Sequence, residues 1–219
     1  MAIILNIETA TKNCSVSLSK NGKTLFCKEQ ADQGYSHAEK LHVFIDEVIK
    51  ECQVDIKEIN AVAVSKGPGS YTGLRIGVSA AKGLCYALNL PLIAIDTLEI
   101  LASKVHQNDG LIVPMLDARR MEVYSAVFNQ EKKIVSETKA EILDENSYAH
   151  VNEKIYFLGD CQEKCKTVLT KSNFQFLPEI IFPSANEMSE LSFQKFIAKE
   201  FEDVAYFEPF YLKDFLLTK

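Results

Sequence analysis

The chain has 219 residues and a formal net charge of −6, with 47% hydrophobic and 25% charged residues. These values fit a globular protein with a sizeable core, and no apolar run is long enough to span a membrane as a helix. An acidic chain is also a poor stand-alone binder of nucleic acid, because phosphate contact needs local positive charge.

The apolar start, MAIILNIE, lacks the basic flank and cleavage site of an export signal and reads as a first strand. The six cysteines, at 14, 27, 52, 85, 161 and 165, then read as reduced thiols of a cytoplasmic protein. Strands are predicted over 2–8, 14–20 and 24–30, with Asn21-Gly22 as a hairpin turn between the second and third. Leu41, Phe44, Ile45, Val48, Ile49 and Cys52 recur at helical spacing, so 36–52 is predicted helical, with Ser36 and Glu39 as a capping box. A strand over 59–65 leads into Gly67, Gly69 and Gly73, then a helix over 73–88. A strand over 90–96 and a helix over 97–107, capped by Thr97, complete a mixed sheet with helical cover.

A related pattern then restarts. Strands are predicted over 111–117, 121–128 and 134–142. As in the first half, the opening strand ends on an acid and a short polar turn: Glu8 then TATKN, Asp117 then ARR. This reads as an internal duplication. A strand over 154–159 and helices over 160–170 and 185–201 follow, and the lobes are assigned as 1–107 and 108–219. Cys161 and Cys165, four apart, read as core or surface thiols, since two ligands alone are a weak metal signal.

The glycine turn does not fit the dinucleotide fingerprint, for it follows a fourth strand, and no Walker loop is present. It reads as a tight strand-to-helix turn capped by Ser70 or Thr72, with anion binding at the helix start as the lesser alternative. The helix after it carries two apolar stripes. One is Leu74, Val78, Ala81, Cys85 and Leu88. The other, of mostly tiny side chains, is Gly73, Gly77, Ala80, Leu84 and Ala87. A helix apolar on most sides wants burial on most sides: one stripe can lie on the sheet, and the small-residue stripe permits close approach by another backbone, that of the 36–52 helix or of a partner helix, with the assignment of the two stripes left open.

NIETATKNCSVSL, GPGSYTGLRIG with AKGLCYALNLPLIAIDTLE, LDARRMEVYSAVF and PFYLKDF together resemble the bacterial TsaB (YeaZ) family. The resemblance implies an actin-like fold of two duplicated α/β lobes, each a mixed sheet covered by helices. It implies a non-catalytic subunit of the complex that transfers a threonylcarbamoyl group to N6 of the adenosine beside the tRNA anticodon. The partners would be the catalytic paralogue TsaD and the ATPase TsaE, with a homodimer when alone and tRNA met mainly through the complex. ATP and metal would be used by the partners, with no cofactor of this chain's own. Thr97 and Leu101 occupy the positions of the metal-binding histidines of TsaD, and leucine cannot ligate a metal. His37, His42, His106 and His150 are scattered and read as surface or capping residues. Glu8, Thr9 and Asp117 stand where actin-like ATPases hold nucleotide, and read as a vestigial or weak cleft. Arg119 and Arg120 read as solvated-loop residues paired with acidic neighbours, although they can reach phosphate or RNA. The expected partner seam is Leu41, Ile45, Leu74, Val78, Ala81, Lys82 and Cys85. The alternative is an autonomous ATP-dependent kinase or transferase built on Glu8 and Asp117.

Overall fold

A computed structural model describes residues 1–31 and 37–213. The chain divides into two compact units, Met1–Ile100 with Pro183–Lys219, and Leu101–Phe182. The sequence division at 107/108 differs from this on one point of substance. The segment from Pro183 on belongs with the first unit, not with a C-terminal lobe over 108–219.

The first unit is built on a five-stranded sheet: β1 (Ile3–Glu8), β2 (Asn13–Lys20), β3 (Lys23–Ala31), β4 (Ala61–Gly67) and β5 (Leu92–Asp96), in the order β3-β2-β1-β4-β5. β1, β2 and β3 pair antiparallel, while β4 runs parallel to β1 and β5 parallel to β4. Asn21 and Gly22 both have positive φ, 51° and 80°, as a two-residue hairpin turn that follows the strand twist requires. Helices α1 (His37–Glu51) and α2 (Tyr71–Leu88) cover one face. There Leu5, Ile7, Val16, Leu18, Leu41, Phe44, Ile45, Val48, Val62, Val64, Val78, Ala81 and Cys85 form one cluster. Ser36 lies outside the described residues, and with it the predicted capping box.

The other face of the sheet carries Ala2, Ile4, Ala61, Ala63, Ile93 and Ile95. It is covered by Ala185, Met188 and the partly buried Leu191, Phe193 and Phe196 around α5 (Met188–Ala198). Strand alternation places Ser15, Ser17 and Ser19 opposite Cys14, Val16 and Leu18. That polar row is buried and holds the returning chain. Ser17 Oγ donates to Ala185 O (2.7 Å), Ser15 Oγ accepts from Ala185 N–H (2.8 Å), and Asn13 Nδ2 donates to Pro183 O (3.0 Å).

The second unit repeats the plan. Its strands are β6 (Leu111–Asp117), β7 (Glu122–Phe128), β8 (Ile134–Ile142), β9 (Ile155–Gly159) and β10 (Phe174–Phe176), in the order β10-β9-β6-β7-β8. β6, β7 and β8 are antiparallel, and β9 is parallel to β6, as β4 is to β1. The duplication read from acid-terminated strands is thus present as matching topology. The short strand β10 was not predicted. Helices came out shorter than the pattern suggested: α3 is Thr97–Ala102 and α4 only Gln162–Cys165. Asp96, not Thr97, caps α3, its Oδ1 accepting from Leu98 N–H at 2.9 Å. Asp160 Oδ1 accepts from Asp117 N–H at 2.8 Å. All six cysteines are free, and Cys161 and Cys165 are buried with their sulfurs 3.8 Å apart.

A fragment ending at residue 107 is expected to be unfolded or aggregated, because Ile4, Ile93 and Ile95 lose their cover. A two-state melt by circular dichroism of that fragment would contradict the division into units given above. Met188→Ala in the full chain is expected to cost about 2–5 kcal/mol in denaturant titration.

Candidate functional site

The glycine-rich turn between β4 and α2 is packed by the chain's own backbone. Ser70 caps α2, its Oγ accepting from Gly73 N–H at 3.3 Å. The Ser70 N–H donates to Ala10 O at 2.7 Å, and Thr9 Oγ1 donates to Gly73 O at 2.8 Å. A Cβ on Gly69 would lie 2.4 Å from Ala10 O, on Gly73 2.1 Å from Thr9 O, and on Gly77 2.2 Å from Thr9 Oγ1. Three glycines in a row along the contact therefore allow the β1–β2 turn to lie against the start of α2. A carbonyl of this chain meets the helix start where an anion was the lesser expectation. His37 closes the same junction, its Nε2–H donating to Thr11 O at 2.7 Å.

Two of the three residues assigned to a nucleotide cleft belong to this packing. Glu8 and Thr9 are fully buried, and Glu8 Oε1 accepts from Ala10 N–H, bending the turn. Asp117 lies in the second unit and is half exposed. Its carboxylate pairs with the Lys164 ammonium and accepts from Arg119 N–H at 3.1 Å. Thr97 and Leu101 are both fully buried.

The expected partner seam needs correction. Leu41, Ile45, Leu74, Val78, Ala81 and Cys85 are each between 0% and 6% exposed in the single chain. Five of them share the core cluster on the sheet, and Leu74 packs beside Gly67. The larger side chains bury more apolar area, so that stripe goes to the sheet. Burial also pushes the Cys85 thiol up to about 11. The small-residue stripe is split between two roles. Gly73 and Gly77 face Thr9, whereas Ala80 and Leu84 are half-buried and Ala87 is exposed. Gly83 has no atom within 4 Å of a built Cβ, so it looks outward. Ile76 and Ala80, half-buried against the core cluster, continue into the exposed Gly83 and Ala87 as a shallow apolar strip, flanked by Tyr86 at 87% exposure. On α1, Val43 is 51% exposed.

The seventh expected seam residue, Lys82, is tied to a strap formed by the end of the described chain. Its Nζ donates to Phe207 O (2.8 Å) and Ala205 O (3.2 Å). Glu202 N–H bonds Leu92 O at the edge of β5, and Phe210 N–H bonds Lys66 O. Strap and helix enclose a groove of about 250 Å³ lined by Arg75, Ser79, Lys82, Phe207, Glu208 and Tyr211. The Arg75 guanidinium lies 4.8 Å from the Tyr71 ring centre, and Tyr71 meets Tyr211 at 5.1 Å. Helical periodicity carries no signal for this groove, because its two walls are more than a hundred residues apart.

These contacts separate the glycines of α2 by experiment. Gly73→Ala is expected to destabilise the protein by about 2–3 kcal/mol through overpacking against Thr9. Gly83→Ala should stabilise it by about 0.5–1 kcal/mol, as a helix interior with room for a methyl. Val78→Glu should cost about 4 kcal/mol or more by placing an unpaired charge in the core. Chemical denaturation of the three variants checks the order.

Comparison with known proteins fits this architecture. Residues 31–214 match the family model described as TsaD, tRNA N6-adenosine threonylcarbamoyltransferase. A tRNA threonylcarbamoyladenosine biosynthesis protein TsaB from Bacillus subtilis (strain 168) is 31% identical over 134 residues, 61% of this chain and 58% of that relative. The TsaB of Buchnera aphidicola subsp. Baizongia pistaciae is 31% identical over 225 residues, 96% of this chain and 98% of that relative. In fold the chain is similar to YeaZ from Pseudomonas aeruginosa, with a TM-score of 0.86 at 22% identity, covering 97% of this chain and 100% of that one. With a family model across most of its length and a TsaB relative matching from end to end, the chain belongs to the TsaB (YeaZ) family and has its duplicated actin-like α/β fold.

Proposed function

We propose that the chain is a non-catalytic subunit of the assembly that transfers a threonylcarbamoyl group to N6 of the adenosine beside the tRNA anticodon. It works by docking the catalytic paralogue TsaD, with the ATPase TsaE joining the assembly. The pathway follows from its TsaB relatives, which are tRNA threonylcarbamoyladenosine biosynthesis proteins. The docking role is carried by the outer face of α2, where Ile76, Ala80, Gly83 and Ala87 form a strip shallow enough for another helix to approach closely, with Tyr86 beside it as an aromatic anchor. Alone, the same face pairs with a second copy.

The acids support the non-catalytic half. Glu8 holds a buried backbone turn, and Asp117 is paired with Lys164. On this reading the chain has no cofactor of its own, ATP and metal act in the partner subunits, and the assembly is cytoplasmic. Among the described residues, no helix is long and apolar enough to cross a membrane.

Ala87→Glu and Tyr86→Glu change exposed positions and should leave Tm unchanged. Each is expected to weaken TsaD binding by at least about tenfold in a pull-down or titration. Retention of TsaD by both variants would remove the assigned face. The isolated chain should not turn over Mg-ATP, while tRNA modification by the reconstituted proteins should stop when it is left out. ATP turnover by the isolated chain would overturn the non-catalytic reading.

A further inference from the structure

The turn between β6 and β7 is the counterpart of the buried β1–β2 turn, and the two copies have diverged in a telling way. In the first unit, Thr9, Ala10, Thr11 and Asn13 are buried. In the second unit, Arg119 and Arg120 are exposed at the tip. Both have positive φ, 75° and 51°, which non-glycine residues rarely adopt and which hairpin turns ordinarily give to Asn-Gly. Two bulky side chains in such a pair are strained.

The strain is held by neighbours. Lys164 Nζ donates to Arg120 O (2.7 Å) and Glu122 O (2.8 Å) and pairs with the Asp117 carboxylate. Asp117 Oδ1 also accepts the Arg119 amide. The acids beside the turn have work of their own. Asp117 is met by Lys164, and Asp160 accepts the Asp117 amide. Among the described residues, neither arginine side chain is in an ion pair or hydrogen bond, contrary to the pairing expected from sequence.

From this geometry we infer that the Arg119–Arg120 turn is a contact site for the phosphodiester backbone of RNA. Guanidinium groups bind phosphate through paired N–H donors. Two of them, projected from one braced hairpin tip, suit neighbouring phosphates of a strand. The inference deepens the proposed function, whose substrate is a tRNA, and rests on it. It places a direct RNA contact on this subunit, despite the chain's net charge of −6.

The test is fluorescence anisotropy of a labelled unmodified tRNA transcript with the full chain across a potassium chloride series. The double variant Arg119→Gly/Arg120→Gly removes both charges and relaxes both backbones. Its Tm should rise while its RNA affinity falls roughly tenfold, with a salt slope shallower by about 1.4. Because those changes run in opposite directions, misfolding cannot explain them. Arg119→Lys/Arg120→Lys should keep the slope. Absence of tRNA binding by the wild type, or an unchanged slope in the glycine variant, would overturn the site. So would displacement of the RNA by millimolar inorganic phosphate at constant ionic strength, which would mark a small-anion site only. TsaD docking by the glycine variant, measured in parallel, should match the wild type. Failure of docking by the wild type itself would count against the proposed function and leave the RNA result standing.

Discussion

The close approach of the β1–β2 turn to the start of α2 sets the rest of the first unit. A backbone carbonyl cannot come within bonding distance of a helix start unless the helix offers no Cβ there, and Gly69, Gly73 and Gly77 offer none. With Thr9 and Ala10 seated against it, α2 has one rotation about its axis. Leu74, Val78, Ala81 and Cys85 then point into the protein, Ile76 and Ala80 lie half-buried at the border of the core, and Gly83 and Ala87 point away. The motif that looks like a phosphate loop thus acts as a rotational key, and the face of α2 left accessible follows from it.

Duplication supplies a control within one chain. Both sheets have the same strand order and directions, yet the second unit has no long helix after its third strand and only one turn of helix after β9. Its hairpin turn has no glycine-faced helix to lie against, so it points to solvent and carries arginines. The ancestral acids at the ends of β1 and β6 have parted in the same way. One is spent on a buried turn and the other on an ion pair with Lys164.

Much of this was legible in the sequence, for reasons that particular residues show. Period-two alternation in Cys14-Ser15-Val16-Ser17-Leu18-Ser19 fixed a strand and its faces, and Asn21-Gly22 fixed the hairpin. The opposite serine face was legible as polar, but not as a docking row for Pro183 and Ala185, since a hydroxyl facing water and one facing a carbonyl look alike in sequence. Likewise the helical wheel found both stripes of α2 without ranking them. The ranking came from long-range clearance, where Gly77 meets Thr9 and Gly83 meets nothing. The helix predicted over 160–170 keeps only Gln162–Cys165 as regular helix, followed by turns in which Leu169 N–H still bonds Cys165 O at 2.9 Å.

The return of the chain to the first sheet also bears on how the protein is made. The second unit is continuous, from Leu101 to Phe182, and can complete itself as soon as that stretch leaves the ribosome. The first unit begins earlier and finishes later. One side of its sheet stays greasy and uncovered until Met188–Ala198 emerges, and its rim stays open until Glu202 reaches Leu92. During synthesis the older half of the molecule is therefore the one that waits, and the row of serines on β2 keeps part of that waiting surface wettable in the interval.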